Sequence, residues 1–325
     1  MIRNHPPAVG LLLAVFLVAA GGCRWNQMFR RTLTEPTPVA FTTLPTRDEA
    51  VAALNANSGR IQALQTQGAT VSVPGAPSIG AEIALERPRK LRFRAGGNLI
   101  GQQLDLGSND QLFWFWAALA PEPSVFFARH DQFATSRARQ MLAIEPTWLI
   151  DALGVVQVDP ATILEDPTTA GDNRVQLKTT LQASAGQFTR QILLHARYGW
   201  VQEQHLYDAA GRLVASALNS RHEYSAVDGV SLPKRIEVSM PDGQLRFQLD
   251  VDRWVINQPP ADAQALFELP RAQLADYPFV DLADPNFVPP GGTIPAAQPA
   301  QPAGPAPPPY LQADIRQHYR GYGQR

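Results

Sequence analysis

Cysteine is almost absent from this chain, because Cys23 is the only one among 325 residues. A single cysteine excludes an intrachain disulfide and any metal site built from several cysteines. An excess of either charge is lacking too, since 28 Lys and Arg residues are balanced by 29 Asp and Glu residues. No long-range field would draw nucleic acid to the protein, and we predict no nucleic-acid partner.

The common catalytic motifs are also lacking. No H-E-x-x-H, G-x-S-x-G, Walker or Rossmann pattern occurs in the sequence. The six histidines are scattered along the chain, and no spacing among them suits a metal ion. The sequence therefore predicts a protein that is not an enzyme and that uses no cofactor or metal, with an enzyme as the least favoured alternative.

The chain opens with the layout of a secretory signal peptide. Arg3 supplies a positive start, residues 8–20 are apolar, and small residues follow as far as Cys23. The apolar run is shorter than the ~20 residues that a membrane-spanning helix needs. We predict a signal peptide over residues 1–22, with an uncleaved anchor helix and an incidental cysteine as the alternative.

The stretch Ala20-Gly21-Gly22-Cys23 resembles the lipobox of bacterial lipoproteins. In that family the chain is cut before the cysteine, which is then acylated. The resemblance implies that Cys23 is the first mature residue and the attachment site of acyl chains such as palmitate, which anchor stably when there is more than one. Because Arg24 rather than an aspartate follows, the resemblance favours the outer membrane, facing the periplasm, over the inner membrane.

The two ends of the mature chain have compositions that do not suit a packed core. Residues 23–45 contain Thr, Pro and Arg without apolar periodicity, and we predict a tether there. Residues 285–325 are rich in Pro and Ala and end in a basic, tyrosine-bearing tip. We predict a disordered tail over that range, since such a composition favours an extended spacer.

A helix is predicted at the start of the domain between these ends. Thr46 and Glu49 form a capping box, which marks a helix N-terminus. Gly68 suits the end of the helix. The apolar stripe of this helix is predicted to contain Val51, Leu54, Ile61 and Leu64.

Beyond Gly68 the apolar period changes from helical to two. This alternation predicts roughly ten antiparallel strands with one buried and one solvated face. Asp242-Gly243 is the strongest hairpin signal, and Pro146 is placed to begin a short helix containing Trp148 and Leu149. The predicted class is mainly β with some helix (α+β), built on an antiparallel sheet.

Two strands have unusual faces. Residues 112–116, Leu-Phe-Trp-Phe-Trp, are apolar on both faces, so the strand is either packed in a core or lines an apolar pocket. Lys90, Arg92 and Arg94 alternate with apolar residues. They predict a solvated strand face, with contact to anionic head groups as the alternative.

Residues 204–213, QHLYDAAGRL, residues 232–238, LPKRIEV, and residues 266–270, LFELP, are typical of the later strands of one known family. Together with the order of helix, meander, aromatic strand and hairpins, they make residues 46–284 similar to LolA/LolB-like lipoprotein carriers. The resemblance implies a half-open β-barrel closed by helices around a hydrophobic cavity. With a lipid anchor, the chain is more similar to LolB, the outer-membrane acceptor, whose relatives expose a membrane-inserting leucine on a loop.

The leading hypothesis is a non-enzymatic, monomeric envelope lipoprotein that binds, and in one version transfers, the acyl chains of a lipid or lipoprotein. Apolar burial at ~25 cal/mol per Å² would drive binding. The rival is a structural or assembly lipoprotein with a filled core, whose tail contacts envelope partners or the cell wall. The predicted cavity-lining residues are Leu91, Phe93, Leu104, Phe113, Phe115, Phe127, Trp148 and Leu149, with Trp114 and Trp116 as alternatives to the phenylalanines of their strand.

Overall fold

This computed structural model describes residues 36–288, except for residues 141, 143, 172, 184–185, 242–244 and 261. The chain divides into two compact units after Phe287, and all the described helices and strands belong to the first. The predicted signal peptide, the lipidation site at Cys23, most of the tether and nearly all of the tail lie outside the described residues.

The first helix, α1, spans Arg47–Gly59, and its predicted capping box is confirmed. The hydroxyl of Thr46 accepts the backbone N–H of Glu49, and the carboxylate of Glu49 accepts the backbone N–H of Thr46. The helix ends well before Gly68 because the next residues form a strand. Leu64 pairs with both Leu85 and Ile256, so tertiary pairing overrides the helical spacing.

The described residues contain sixteen strands, more than the ten predicted. Five of them, β1, β2, β8, β15 and β16, are two to four residues long, too short to give a period-two signal. In chain order the strands are β1 Ala63–Thr66, β2 Ala69–Ser72, β3 Ile79–Glu86, β4 Lys90–Gly97, β5 Gly101–Ser108, β6 Leu112–Ala117, β7 Val125–Arg129, β8 Thr168–Thr169, β9 Arg174–Ala183, β10 Gly186–His195, β11 Val201–Tyr207, β12 Leu213–Ser225, β13 Val230–Met240, β14 Leu245–Val251, β15 Trp254–Ile256 and β16 Phe279–Asp281.

The remaining helices are short. Helix α2 spans His130–Phe133, α3 spans Trp148–Ala152 and α4 spans Ala263–Leu266. Two 3₁₀ turns, Arg137–Gln140 and Pro160–Thr162, lie between strands β7 and β8. Helix α3 confirms the short helix predicted after Pro146.

The strands form one open sheet in the order β16-β7-β6-β5-β4-β3-β2-β14-β13-β12-β11-β10-β9-β8, with β1 and β15 paired beside this path. Pairing is antiparallel except between β16 and β7. The sheet is curved: Phe93 and Phe247 lie three strands apart, ~14 Å in a flat sheet, yet their ring centroids are 5.9 Å apart. The predicted class, mainly β with helices packed on an open antiparallel sheet, is confirmed.

The concave face of the sheet is covered by helix α1 and by residues 144–163. Helix α1 buries Ala50, Val51 and Leu54 against strands β9 to β11. Residues 144–155 pack farther along the same face, where their apolar side chains join those of strands β1 to β4 and β10 to β14 in one core cluster. The inside of the half-barrel is therefore filled by chain segments, not by the sheet alone.

The convex face of strands β4 to β7 is covered by residues 262–279. Arg92, predicted to lie on a solvated face, is buried there and donates from Nη1 to the carbonyl oxygens of Leu266 and Glu268. The prediction is wrong at Arg92 because this later segment crosses the face. The alternation of the strand itself contains no sign of that covering.

Candidate ligand site on the concave face

Five of the eight predicted lining residues lie together on the concave face. Leu91, Phe93, Trp148 and Leu149 belong to one buried cluster, and Leu104 packs against it. Cross-strand register places Phe93 on this face. Phe93 lies opposite both Ile83 and Leu106, which also pack in or against the cluster, and directly opposed residues share a face.

The other three predicted residues lie elsewhere. Phe113 and Phe115 point to the concave side by register but join a separate cluster, where the ring of Phe113 meets that of Phe133 edge-on at 5.0 Å. Phe127 lies on the convex face, opposite Trp114 and with the Arg271 guanidinium 5.4 Å from its ring centre. The strand of Phe127 is apolar on both faces, so its sequence does not determine which side chain points inward.

The concave interior contains a cavity of only about 10 Å³. That is about the space of one water molecule. Its walls are Ile83, Leu91, Phe93, Leu149, Ala152, Leu153, Ile236, Val238, Phe247 and Leu249. The apolar space is therefore present, but residues of the segment around helix α3 occupy it.

We call residues 144–158 the plug segment. It contains helix α3 and ends at Val158, whose backbone N–H and carbonyl both bond the side-chain amide of Asn55. Gly154 follows the helix with φ +88°, and an added Cβ would lie 3.2 Å from Cδ of Pro233 and 3.4 Å from Nδ2 of Asn219. Glycine is thus required where the plug segment lies against strands β12 and β13.

Polar side chains join the plug segment to the sheet. Arg190 of β10 donates from Nη1 to Oδ2 of Asp151 at 2.8 Å and from Nη2 to the carbonyl oxygen of Gln157 at 3.1 Å. Gln204 of β11 donates to the backbone carbonyl of Asp151 at 2.6 Å. Burial raises the pKa of Asp151, while the charges of Arg190 and Arg87 act in the opposite direction. We call these contacts the polar seam.

Several buried polar atoms on the sheet beside the plug segment have no hydrogen-bond partner among the described residues. They are Oε1 of Gln204, both amide atoms of Asn219 and Nε of Arg190. A buried polar atom that loses its partner costs about 1–3 kcal/mol. The contact between the plug segment and the sheet is therefore weaker than a fully apolar contact of the same area.

A groove of about 460 Å³ opens beside the plug segment. On one side lies the β3–β4 turn with Arg87 and Arg89, and on the other the end of β9 with Leu181. Asp151 lies in this groove, and Arg87 binds the carbonyl oxygen of Ser58 at 2.7 Å and the side-chain oxygen of Gln157. Burial lowers the pKa of Arg87, and the nearby charge of Asp151 offsets part of that effect.

An exposed apolar tip connects strands β4 and β5. Leu99 is fully exposed and Ile100 is half exposed, and Leu119 on the neighbouring β6–β7 loop is also largely exposed. The backbone N–H of Ala118 bonds the carbonyl of Gln103, so the two loops meet at the same end of the sheet. These residues were not predicted as a site from the sequence, although glycines at positions 97 and 101 bracket the tip.

Other chemistry is sparse in the part of the chain that the structure describes. There, no three residues among His, Cys, Asp and Glu lie close enough to share a metal ion. No helix in that part has both the length and the hydropathy needed to cross a bilayer. His222 is stacked on Trp200 at 4.6 Å, and burial lowers its pKa to about 4.

No family model and no curated protein matches the chain. Among solved structures it is similar to a domain named for outer-membrane lipoprotein sorting from Vibrio parahaemolyticus, at 7% identity and a TM-score of 0.46, covering 68% of this chain and 100% of that one. It is also similar to a LolA superfamily protein from Nitrosomonas europaea, at 10% identity and a TM-score of 0.42, covering 69% and 98%. A DUF1329 family protein from Desulfovibrio piger is similar at 14% identity and a TM-score of 0.41, covering 67% and 99%. At these identities we take the function from the geometry of the chain itself.

Proposed function

We propose that this chain is a non-enzymatic lipoprotein of the bacterial envelope that holds an acyl chain on the concave face of its sheet. The observation on which this rests is the polar seam. An apolar wall is covered by a separate segment whose contact with the wall includes unpaired polar atoms. In this proposal the ligand takes the space that the plug segment fills in the structure.

Displacement of the plug segment is energetically reasonable. The plug segment contributes seven apolar side chains to the concave cluster, and an acyl chain that takes their place regains apolar burial at ~25 cal/mol per Å². The apparent affinity is then reduced only by the fraction of molecules whose plug segment has moved. The walls themselves belong to paired strands and do not need to rearrange.

A second candidate is favoured by a different observation. A cavity of about 10 Å³ leaves no room for an acyl chain in the closed structure. The rival function is a structural or assembly lipoprotein whose core stays filled and whose partners bind elsewhere. The two candidates differ in whether the plug segment leaves the wall.

Two matched leucines separate these candidates. Leu153 lies in the plug segment and Leu282 lies after β16 in the separate cluster around Phe113, and both are buried. A leucine-to-alanine change in either core costs about 2–5 kcal/mol. Only Leu153→Ala weakens the closed plug segment, so it should strengthen binding of a fluorescent fatty acid at least tenfold, whereas Leu282→Ala should not.

The measurement is a titration of the purified, delipidated protein with the fluorescent fatty acid, together with native mass spectrometry of the protein as isolated. We expect copurified lipid in the wild type and tighter probe binding in Leu153→Ala. A wild type without lipid, and without saturable uptake in either variant, would establish the structural candidate in its place.

The exposed tip and the lipid anchor complete the proposal. Acyl chains at Cys23 would hold the domain at the outer membrane, facing the periplasm, and Leu99 would contact the bilayer, as the loop leucine of LolB-like proteins does. Palmitate labelling of the wild type and of Cys23→Ser tests the anchor. Label must disappear in the variant; label that persists would place the attachment at another residue.

A further inference from the structure

We infer that Arg190 and Arg87 bind the anionic head of an amphiphile, in the position that the Asp151 carboxylate occupies in the closed structure. This inference rests on the proposed function and names the ligand class. The head group would lie in the groove beside the plug segment, and the acyl chain would extend over the concave face.

The polar seam already contains a cation that binds a carboxylate. The Arg190 side chain is 3% exposed and holds a carboxylate that is 25% exposed, so the anion lies at the solvent side of a buried cation. A guanidinium binds carboxylate and phosphate oxygens with the same fork of N–H donors. The polar seam therefore contains a built anion site with Asp151 as its occupant.

The negative and positive charges around the groove belong to different elements. The carboxylates of the groove, Asp151 and Glu145, both lie in the plug segment. The arginines at the groove and polar seam, Arg87, Arg89 and Arg190, all lie on the sheet or its turns. When the plug segment moves, both carboxylates move with it and the cations stay.

Once the plug segment has moved, Arg190 needs another anion as its partner. A buried arginine whose carboxylate partner leaves is costly, because its desolvation is no longer compensated. A neutral apolar ligand would leave Arg190 in that state, whereas an anionic head would pair with it. The unpaired amide of Asn219 and Oε1 of Gln204 lie on the same wall and could bond the polar linkage next to the head.

The groove at Asp151 is adjacent to the apolar interior of the sheet. Leu149 and Ala152 line the interior cavity, and Asp151 lies between them in helix α3 while facing the groove. A ligand with its head at the Asp151 position would therefore reach the apolar interior with the first carbons of its chain. One chain with one anionic head fits this arrangement.

The test uses the full mature protein, delipidated, and three probes that share one chain: oleate, oleyl alcohol and oleoyl lysophosphatidic acid. Each displaces a bound fluorescent acyl probe, which yields its dissociation constant. We expect an anionic probe to bind at least tenfold more tightly than oleyl alcohol. The tighter of the two anions identifies the head as a carboxylate or a phosphate.

Three variants assign the preference to residues. Arg87→Gln, at the groove rim, should remove most of the preference for the anions, measured as the ratio of the dissociation constants of oleyl alcohol and of each anion. The ratio is the readout because loss of the bond between Arg87 and Gln157 loosens the plug segment for all three probes alike. Arg190→Gln should do the same, and if it fails to fold, Arg87→Gln alone decides. Asp151→Asn should strengthen binding of the anions several-fold, because the competing carboxylate is gone. Arg94→Gln, an exposed arginine paired with Glu82 on the convex side, is the matched control and should change nothing.

The outcomes separate this inference from the proposed function. Binding of oleyl alcohol in the wild type as tight as that of both anionic probes would overturn the anion site and leave the acyl-chain proposal in place. A preference for anions that survives in Arg87→Gln and in folded Arg190→Gln would also overturn it. Absence of binding by all three probes would overturn the proposed function as well.

Discussion

Two buried Arg–Asp pairs hold two different coverings on the same sheet. On the convex face Arg92 binds Asp105 at 2.6 Å, and the side chains are 7% and 2% exposed. On the concave face Arg190 binds Asp151 at 2.8 Å, and the side chains are 3% and 25% exposed. Asp105 also accepts Nε1 of Trp114 on its other oxygen, at 3.0 Å. The convex pair is closed on all sides, whereas the concave pair opens onto a groove.

The difference lies in whether both members of the ion pair belong to the sheet or one member belongs to the covering segment. Both members of the convex pair belong to the sheet, and the covering segment is held through its backbone carbonyls on Arg92. In the concave pair one member belongs to the covering itself. Moving residues 262–279 would leave the Arg92–Asp105 pair intact, but moving the plug segment splits its pair. Of the two coverings, only the concave one takes a carboxylate away when it moves, which is the condition for exchange with the anionic head that we propose.

The largest effect is expected for Asp105→Asn. It leaves the charge of Arg92 buried without a carboxylate, which should cost about 3–5 kcal/mol in the free energy of unfolding. Asp151→Asn should cost less, because water reaches that carboxylate from the groove. Urea denaturation measures both. Equal losses of stability in the two variants would contradict the difference between the pairs. The control is Glu82→Gln, which removes an exposed ion pair worth about 0.2–1 kcal/mol.

Acid should destabilise the protein at His222, and this effect has to be distinguished from the effects of the two Arg–Asp pairs. The pKa of His222 is lowered to about 4 by burial, so the unfolded chain binds a proton there more readily than the folded chain. Stability from this group is complete above the unfolded pKa of ~6.5 and is lost as the pH falls through that value toward 4. The loss should reach about 3 kcal/mol.

His222→Phe keeps a ring against Trp200 and removes the titration. Its unfolding free energy should vary less between pH 6.5 and 4 than that of the wild type. Urea denaturation at a series of pH values in that range measures the slope. An unchanged slope would assign the acid sensitivity to carboxylates whose pKa is lowered in the folded chain, Asp208 and Asp250 among them, and the comparison of the two pairs would then have to be made at one pH.

Substitution of one glycine under each covering should change the free energy of unfolding by an intermediate amount. A Cβ at Gly107 would overlap the indole of Trp114 on the convex side, and Gly107→Ala should cost about 1–3 kcal/mol through overpacking. Gly154→Ala should cost a similar amount through its positive φ. Gly154→Ala should also strengthen binding of the fluorescent fatty acid, while Gly107→Ala should not. Equal binding by the two variants would argue against a movable plug segment.

The comparison also explains what the sequence could predict. The capping box at Thr46, the hairpins and the alternating strands depend on neighbours in the chain, and these predictions are confirmed. The grouping of Leu91 and Phe93 with Trp148 and Leu149 followed from alternation and from one short apolar helix. Both faces of residues 125–128 are apolar, so the outward position of Phe127 was not predictable from period alone.

The coverings themselves were beyond sequence reasoning. Arg92 alternates like a solvated residue, and only a segment about 175 residues later in the chain buries it. The pairing of Asp151 with Arg190 likewise joins residues 39 positions apart on elements with no shared motif. Charges that meet through tertiary structure leave no local pattern, and these are the charges on which the candidate site depends.

The smallest effect on stability is expected at the exposed tip. Leu99 is fully exposed and Val227, on the β12–β13 loop, is 97% exposed, so Leu99→Asp and Val227→Asp should each change the free energy of unfolding by less than about 0.5 kcal/mol. Their effects on acyl-chain delivery should differ, because only Leu99 lies beside other exposed apolar residues, Ile100 and Leu119. Transfer of the fluorescent fatty acid from the protein to phospholipid vesicles should slow in Leu99→Asp and stay at the wild-type rate in Val227→Asp. Equal rates in all three proteins would mean that the ligand leaves the concave face without contact between the tip and the bilayer, and the plug segment would then be the sole determinant of release.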